Sequence, residues 1–192
     1  MLFSLKQEAL SSVGGGTFTQ PNGISMDSRY DAICGITEDE LYSVFGEAIS
    51  EMASKLNYTV ETMKAELKKQ YDGYHFSNAL LDVYNPFSII NAFNKMDIDN
   101  YWYKSGTPTY LVKLLEGHHV NMQKLTSRPY ESQYFVDYRA DAENPLAMLY
   151  QSGYLTIKGY DRHYREYTLD YPNVELRKGF VALMAEANKC CS

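Results

Sequence analysis

The chain of 192 residues contains no Gly-x-x-x-x-Gly-Lys-[Ser/Thr] loop, and its glycine run Gly14-Gly15-Gly16 is not followed by a lysine and a helix. A phosphate-cradling loop of that type is therefore excluded. Cys-x-x-Cys pairs, His-Glu-x-x-His, EF-hand loops and Gly-x-Ser-x-Gly are missing too, which removes the common zinc, calcium and serine-hydrolase signatures. No apolar run approaches the length of a transmembrane helix. The opening Met1-Leu2-Phe3-Ser4-Leu5-Lys6 is too short in apolar residues, and lacks the basic flank, for a secretory signal. Cysteine is scarce: Cys34, Cys190 and Cys191, an odd count with an adjacent pair, make no disulfide framework. Reduced thiols in a cytoplasmic protein are expected. Basic charge is in deficit, 18 Lys and Arg against 24 Asp and Glu, for a net charge of −6. That argues against a protein that coats nucleic acid broadly and leaves room only for a local basic patch.

What is present describes an ordinary globular protein, 45% hydrophobic and 22% charged. A chain of this length buries roughly 70% of the surface its unfolded form exposes, enough for a core without metals or disulfides. Tyrosine is abundant, 18 residues against 8 Phe and 1 Trp. Tyrosine buries a ring but seeks a partner for its hydroxyl, so half-buried layers or a recognition surface are expected.

Helical signals begin at Thr37-Glu38-Asp39-Glu40, a capping box with Thr37 at the N-cap and Glu40 at N3. Leu41, Val44, Phe45, Ala48, Ile49, Met52 and Leu56 then recur on one helical face. Thr59 caps a second helix with Val60, Met63, Leu67 and Tyr71 on its apolar face, and Gly73 is its left-handed stop. Asn85-Pro86, Thr107-Pro108 and Asn144-Pro145 each place a capping side chain before a proline at the first helical position. Those helices are expected at about 86–94, 108–116 and 145–152, with Gly117 and Gly153 as stops and a long irregular connection over 118–143. Residues 154–160 and 164–171 are β-rich and partly alternating, and Asp161-Arg162-His163 turns between them. Asn173 caps a last helix whose apolar face is Leu176, Phe180, Leu183, Met184 and Ala187. The fold class is mainly α, multi-helical, with a small antiparallel β-hairpin and a winged-helix-like C-terminal part. The expected division is 1–23 as a poorly ordered lead-in or linker, 24–130 as a helical region, and 131–192 as a helix, hairpin and helix unit.

Candidate chemistry is thin. Adjacent His118 and His119 would point apart on any regular element, and Asp137 and Asp141 sit beside Arg139 and Glu143 in a solvated loop pattern. His75 stands out in Tyr71-Asp72-Gly73-Tyr74-His75-Phe76, where Asp72 is placed to orient it. No nucleophile or metal partner accompanies it, so a structural role is expected: Gly73 turns the chain and the rings plug the core. Lys158, Arg162, His163 and Arg165 form a local basic cluster, extended by Arg177 and Lys178 on the last helix. Of these, Lys158, Arg162, Arg165 and Lys178 are the candidate phosphate contacts.

Several segments, taken in order, resemble one family: Ile24-Ser-Met-Asp-Ser-Arg-Tyr-Asp31, Cys34-Gly-Ile-Thr-Glu-Asp-Glu-Leu41, Tyr71-Asp-Gly-Tyr-His-Phe76 and Val83-Tyr-Asn-Pro-Phe-Ser88. Tyr101-Trp-Tyr-Lys-Ser-Gly-Thr-Pro-Thr-Tyr-Leu-Val112, Leu149-Tyr-Gln-Ser-Gly-Tyr-Leu-Thr-Ile157 and Tyr167-Thr-Leu-Asp-Tyr-Pro-Asn173 continue the series. The set is similar to the AAA-ATPase-like proteins of Bacteroidetes, which often carry a PD-(D/E)XK-type nuclease domain. The resemblance covers about 24–182. In that family the Walker segments precede this region and the nuclease-like domain follows it, and neither is found here.

The resemblance implies a non-catalytic module, an interaction or lid region for a nucleotide-binding core. It assigns no catalytic, cofactor or metal residue to this chain, and ATP and magnesium belong only to the full-length family. The implied partners are that core, another protein chain or a second copy, and no membrane. A nucleic-acid-binding winged helix and a tyrosine-rich site for a small ligand are the alternatives. A lid must offer its partner an apolar stripe. An exposed apolar–aromatic patch is therefore expected in the 24–130 region, with Tyr74, Phe76, Tyr101, Trp102 and Tyr103 as contributors, and His75 beside them is a further candidate interaction residue.

Overall fold

The computed structural model describes residues 25–105, 122–136 and 145–190, with side chains described as far as residue 182. A 3-10 segment, Ser28–Cys34, opens the described chain, with the Asp27 side chain accepting from the Arg29 N–H. Helix α1, Glu38–Lys55, starts at the expected capping box, both halves of which are formed. It kinks at Phe45, whose φ of −111° and ψ of 16° leave the helical region. The kink rotates the apolar stripe, so Leu41, Ile49 and Met52 are buried while Val44 is exposed. The single continuous face expected from spacing is corrected accordingly.

Helix α2, Val60–Tyr71, is capped by Thr59 and buries Met63, Leu67 and Tyr71. Helix α3, Pro86–Lys95, has Asn85 accepting from the N–H groups of Phe87 and Ser88, with proline in the first turn. It ends on Met96 in the left-handed region. A one-turn helix α4, Tyr101–Lys104, and a short α5, Met122–Thr126, carried no clear signal of their own in sequence. The second falls inside the expected irregular stretch. Helix α6, Pro145–Gln151, precedes strands β1, Thr156–Asp161, and β2, Glu166–Asp170, and helix α7, Val174–Cys190, is the last described element.

The fold is thus mainly helical, with one two-stranded antiparallel sheet among the described residues. The pairs are Thr156 with Asp170, Ile157 with Leu169, Gly159 with Thr168, Tyr160 with Tyr167 and Asp161 with Glu166. One residue lies between Ile157 and Gly159 and none between their partners Leu169 and Thr168, so Lys158 is the extra residue of a bulge, a device that re-aims a side chain. Tyr130 adds an isolated bridge to Tyr167. Tyr154 and Leu155, expected in the first strand, lie before it and are buried.

Two hydrophobic clusters form. The first gathers Leu41, Ile49, Met52, Met63, Leu67, Tyr71, Tyr84, Ile89, Phe93 and Tyr101 from α1 to α4. The second gathers Tyr130, Phe135, Leu146, Leu149, Tyr154, Ile157, Leu169, Leu176 and Phe180, and it also takes Tyr74 and Val83. The chain therefore crosses between clusters at Tyr71–Tyr74 and again at Val83–Tyr84, well inside the expected 24–130 unit. Helix α7 packs on both α2 and α4. The 108–116 helix, His118, His119, Asp137, Asp141, Cys191, the Asn144 cap and the 1–23 lead-in lie outside the described residues, as do the side chains of Leu183, Met184 and Ala187.

Candidate functional site

Chemistry-bearing side chains concentrate where the two clusters meet. The crossing begins with Tyr71, whose hydroxyl donates to the Asp99 carbonyl at 2.9 Å and accepts from the Asp99 N–H at 3.0 Å. The next turn requires glycine for two reasons. Gly73 sits at φ +92°, and a Cβ there would lie 2.5 Å from the Pro172 carbonyl oxygen and 2.8 Å from Lys158 Nζ. Beyond it, Tyr74 pairs with Val83 and Ile36 with Tyr84 in two isolated antiparallel bridges.

His75 is buried and bonded on every side. Its N–H donates to Thr156 Oγ1 at 2.8 Å, and that hydroxyl donates back to the His75 carbonyl at 2.9 Å. Nδ1 lies 2.6 Å from the Ile157 carbonyl oxygen and Nε2 lies 2.6 Å from Asp82 Oδ1. The Ile157 carbonyl oxygen can only accept, so the contact at Nδ1 is one in which the ring donates. The expected orienting role of Asp72 is corrected: the carboxylate on His75 is Asp82. Asp72 is turned toward α2, with Lys68 Nζ 3.9 Å from its Oδ2.

Lys158 closes the same junction. The β-bulge aims its ammonium inward, where it donates to the Gly73 carbonyl at 2.6 Å and the Pro172 carbonyl at 3.0 Å. Burial holds its pKa below the ordinary lysine range, although Asp82, Asp72 and Asp170 oppose that shift. Asn173 Nδ2 donates to the Asp72 carbonyl at 3.1 Å. The Asp72 carboxylate is buried without a well-formed hydrogen bond among the described residues. Burial pushes it up to about 6; the nearby Gly73 N–H and Lys68 ammonium pull it back only in part, and Asp82 adds like charge. Toward solvent, Lys68 reaches Glu38 at 3.1 Å, and the Tyr42 hydroxyl donates to the same Glu38 oxygen at 2.8 Å.

A second junction is built on Glu175, in the first turn of α7. Its side chain is fully buried, with Oε2 accepting from Ser88 Oγ at 2.7 Å and Oε1 from the Trp102 N–H at 2.7 Å. That N–H belongs to the first turn of α4, which has no side-chain cap of its own, so Glu175 supplies one from another helix. Burial pushes the carboxyl up to about 7, while the two hydrogen bonds favour the ionised form. A third tie joins Ser77 Oγ to Asp31 Oδ2 at 2.6 Å.

The expected surface patch is not built from the six candidates. Tyr74, His75 and Tyr101 are buried, and Phe76, Trp102 and Tyr103 are half-buried against the second cluster. Trp102 meets Tyr154 edge-on at 5.1 Å, and Tyr103 lies so close to Gly179 that a Cβ there would fall 2.7 Å from its ring. Of the candidate phosphate contacts, Lys158 is withdrawn inside, whereas Arg162, Arg165 and Lys178 are exposed. Arg177 lies 3.7 Å from Asp170 and over the Tyr171 ring.

Sequence reasoning missed Asp82, Thr156 and Glu175. Only the last left a signal: residues 175, 176, 179 and 180 share a helical face, which places Glu175 beside Leu176 and Phe180 on the buried side. Among the described residues no three of His, Cys, Asp and Glu converge to hold a metal ion, and no helix is long and apolar enough to cross a membrane.

No protein-family model matches the chain, and no solved structure matches it. The chain is similar to an uncharacterised protein in the vnfD 5′ region of Azotobacter chroococcum mcd 1, 31% identical over 156 residues. The match takes in 80% of this chain and 28% of that protein, so the chain spans little more than a quarter of its relative's length.

Proposed function

We propose that this chain acts as a non-catalytic helical module of an AAA-ATPase-like protein, an interaction or lid region that works against a nucleotide-binding core. One observation carries the reading. The segments that resemble the family are tied to one another within and across the two clusters: Ile36 with Tyr84, His75 with Thr156 and Ile157, and Ser88 with Trp102 through Glu175. Side chains so engaged hold two cores as one body. That suits a part which transmits movement to a partner better than one which reacts with a substrate. The similar Azotobacter protein, several times the length of this chain, fits a module working within a larger whole.

The nucleotide of the resembling family does not suit the residues at the junction. The Lys158 ammonium is held by two carbonyl oxygens, and Glu38, Asp72 and Asp82 would repel a triphosphate. The helix, hairpin and helix order of α6, β1, β2 and α7 suits a winged-helix-like unit, and within this reading it is the outward arm of the module.

Calorimetric titration of the chain with ATP and magnesium tests the proposal. The expected result is no binding heat beyond dilution. Saturable binding at micromolar ATP would place a nucleotide site in this chain and end the lid reading.

A further inference from the structure

The tip of the β-hairpin plays no part in the braces, and its chemistry differs from the rest of an acidic chain. The Asp161–Glu166 pair closes the sheet and leaves Arg162, His163, Tyr164 and Arg165 as the loop. All four are exposed, and the Tyr164 side chain, 68% exposed, presents its ring to solvent. The His163 ring stands edge-on to it at 4.7 Å.

Two carboxylates, Asp161 and Glu166, flank the tip, and Asp161 is engaged in the turn itself: its Oδ1 accepts from the N–H groups of His163 at 2.8 Å and Tyr164 at 3.1 Å. Among the described residues neither Arg162 nor Arg165 pairs with a carboxylate, whereas Arg177 lies 3.7 Å from Asp170. Arg165 also occupies the left-handed region at φ +56°, where glycine would sit without strain. The loop therefore carries a cation at a position where glycine would be the less strained residue.

We propose that this tip is a contact for single-stranded nucleic acid, with Tyr164 stacking on an unpaired base and Arg162 and Arg165 holding the flanking phosphates. An exposed ring offers a sequence-tolerant stacking face, and the planar fork of a guanidinium group matches phosphate oxygens. A partner that supplied only negative charge would leave Tyr164 without a role. Lys158 has no part in the contact, because its ammonium is held inside the fold.

The test is fluorescence anisotropy of labelled oligothymidylate with the full chain at low salt. Binding is expected to weaken with salt at a logarithmic slope of about −1.4 for two phosphates on a single strand. Tyr164→Ala should weaken binding roughly tenfold, the loss of one stacked base. Arg162→Ala with Arg165→Ala should flatten the salt dependence. Arg165→Gly is the sharpest variant: it should raise the melting temperature by relieving the turn, and weaken binding at the same time. Flat anisotropy, binding unmoved by these variants, or equal competition by polyglutamate of matched charge would each overturn the proposal. None of these outcomes bears on ATP, so this inference and the lid reading fail separately.

Discussion

Two of the joints where the clusters meet use opposite chemistry. At Glu175 one buried carboxylate meets two donors, one per oxygen, and the joint is sealed. At Gly73 to His75 the joint is made of many charged groups, some buried and some half-open: Asp72 inside, Asp82 and Lys68 at the edge, and Lys158 threaded between two carbonyls. The sealed joint depends on a single residue, because removing it strands two donors at once. The open joint spreads its dependence over backbone shape and several side chains, so no single charge there should be as costly to lose. Its weak point is the backbone, where Gly73 touches Pro172.

The largest expected effect comes from that weak point. Gly73→Ala adds left-handed strain and a contact with backbone that cannot swing away, and should cost about 4 kcal/mol in urea unfolding. A loss under a quarter of that would mean the turn can relax and the open joint is soft throughout.

Glu175→Ala comes next, at about 3 kcal/mol, since the Ser88 hydroxyl and the Trp102 N–H are both left without their acceptor. Glu175→Gln keeps one acceptor oxygen and should cost about 1 kcal/mol. Trp102 is the one tryptophan in the chain, so its emission reports the state of this joint. Equal losses for the two variants would contradict the acceptor role.

The third prediction separates the joints by pH. Both buried acids are pushed up in the folded state, Glu175 from 4.5 to about 7 and Asp72 from 3.8 to about 6. The folded state therefore holds these protons more tightly than the unfolded one. Their contribution to stability is complete below pH 3.8 for Asp72 and below pH 4.5 for Glu175, and it is lost as pH rises through about 6 and about 7. Each is worth up to about 3 kcal/mol by linkage. Unfolding free energy measured from pH 5 to pH 8 should fall as pH rises. In Glu175→Gln the fall should end near pH 6, leaving only the Asp72 part. A decline that still runs to pH 7 in that variant would detach it from Glu175.

The smallest effect is a control far from both joints. Val44 is exposed just before the α1 kink, so Val44→Ser should change stability by less than about 0.5 kcal/mol. A larger loss would mean the Val44 face is covered, as its helical spacing predicts.

Much of the fold was legible because its signals are local. The Thr37–Glu40 box, the Thr59 cap and Asn85-Pro86 each act within one helical turn, and each helix starts where they say. The hairpin was legible from β-branched and aromatic residues around a polar turn, and Gly73 from its place after an apolar helix. The α1 kink was not, since Gly46 and Phe45 fit a straight helix equally well. The candidate site was legible only as a location. The Tyr71–Phe76 segment is where the clusters meet, but His75 takes its carboxylate from Asp82 across a bridge seven residues away in sequence. The candidate patch residues were placed outside because composition cannot say which face of a short segment turns inward.

By itself the sequence determined the helical class, the helix starts, the hairpin, and the need for glycine after Tyr71. All of these are settled by torsion preferences and hydrogen bonds within a few residues. Only the tertiary structure decided that Lys158 is a brace and not a phosphate ligand, and that Glu175 caps a helix seventy residues upstream in the chain. It also decided that the tyrosine-rich segments face inward while Tyr164 faces out. The reason is that a buried polar group must find its partner wherever packing brings one, and packing joins residues whose distance along the chain carries no information about it.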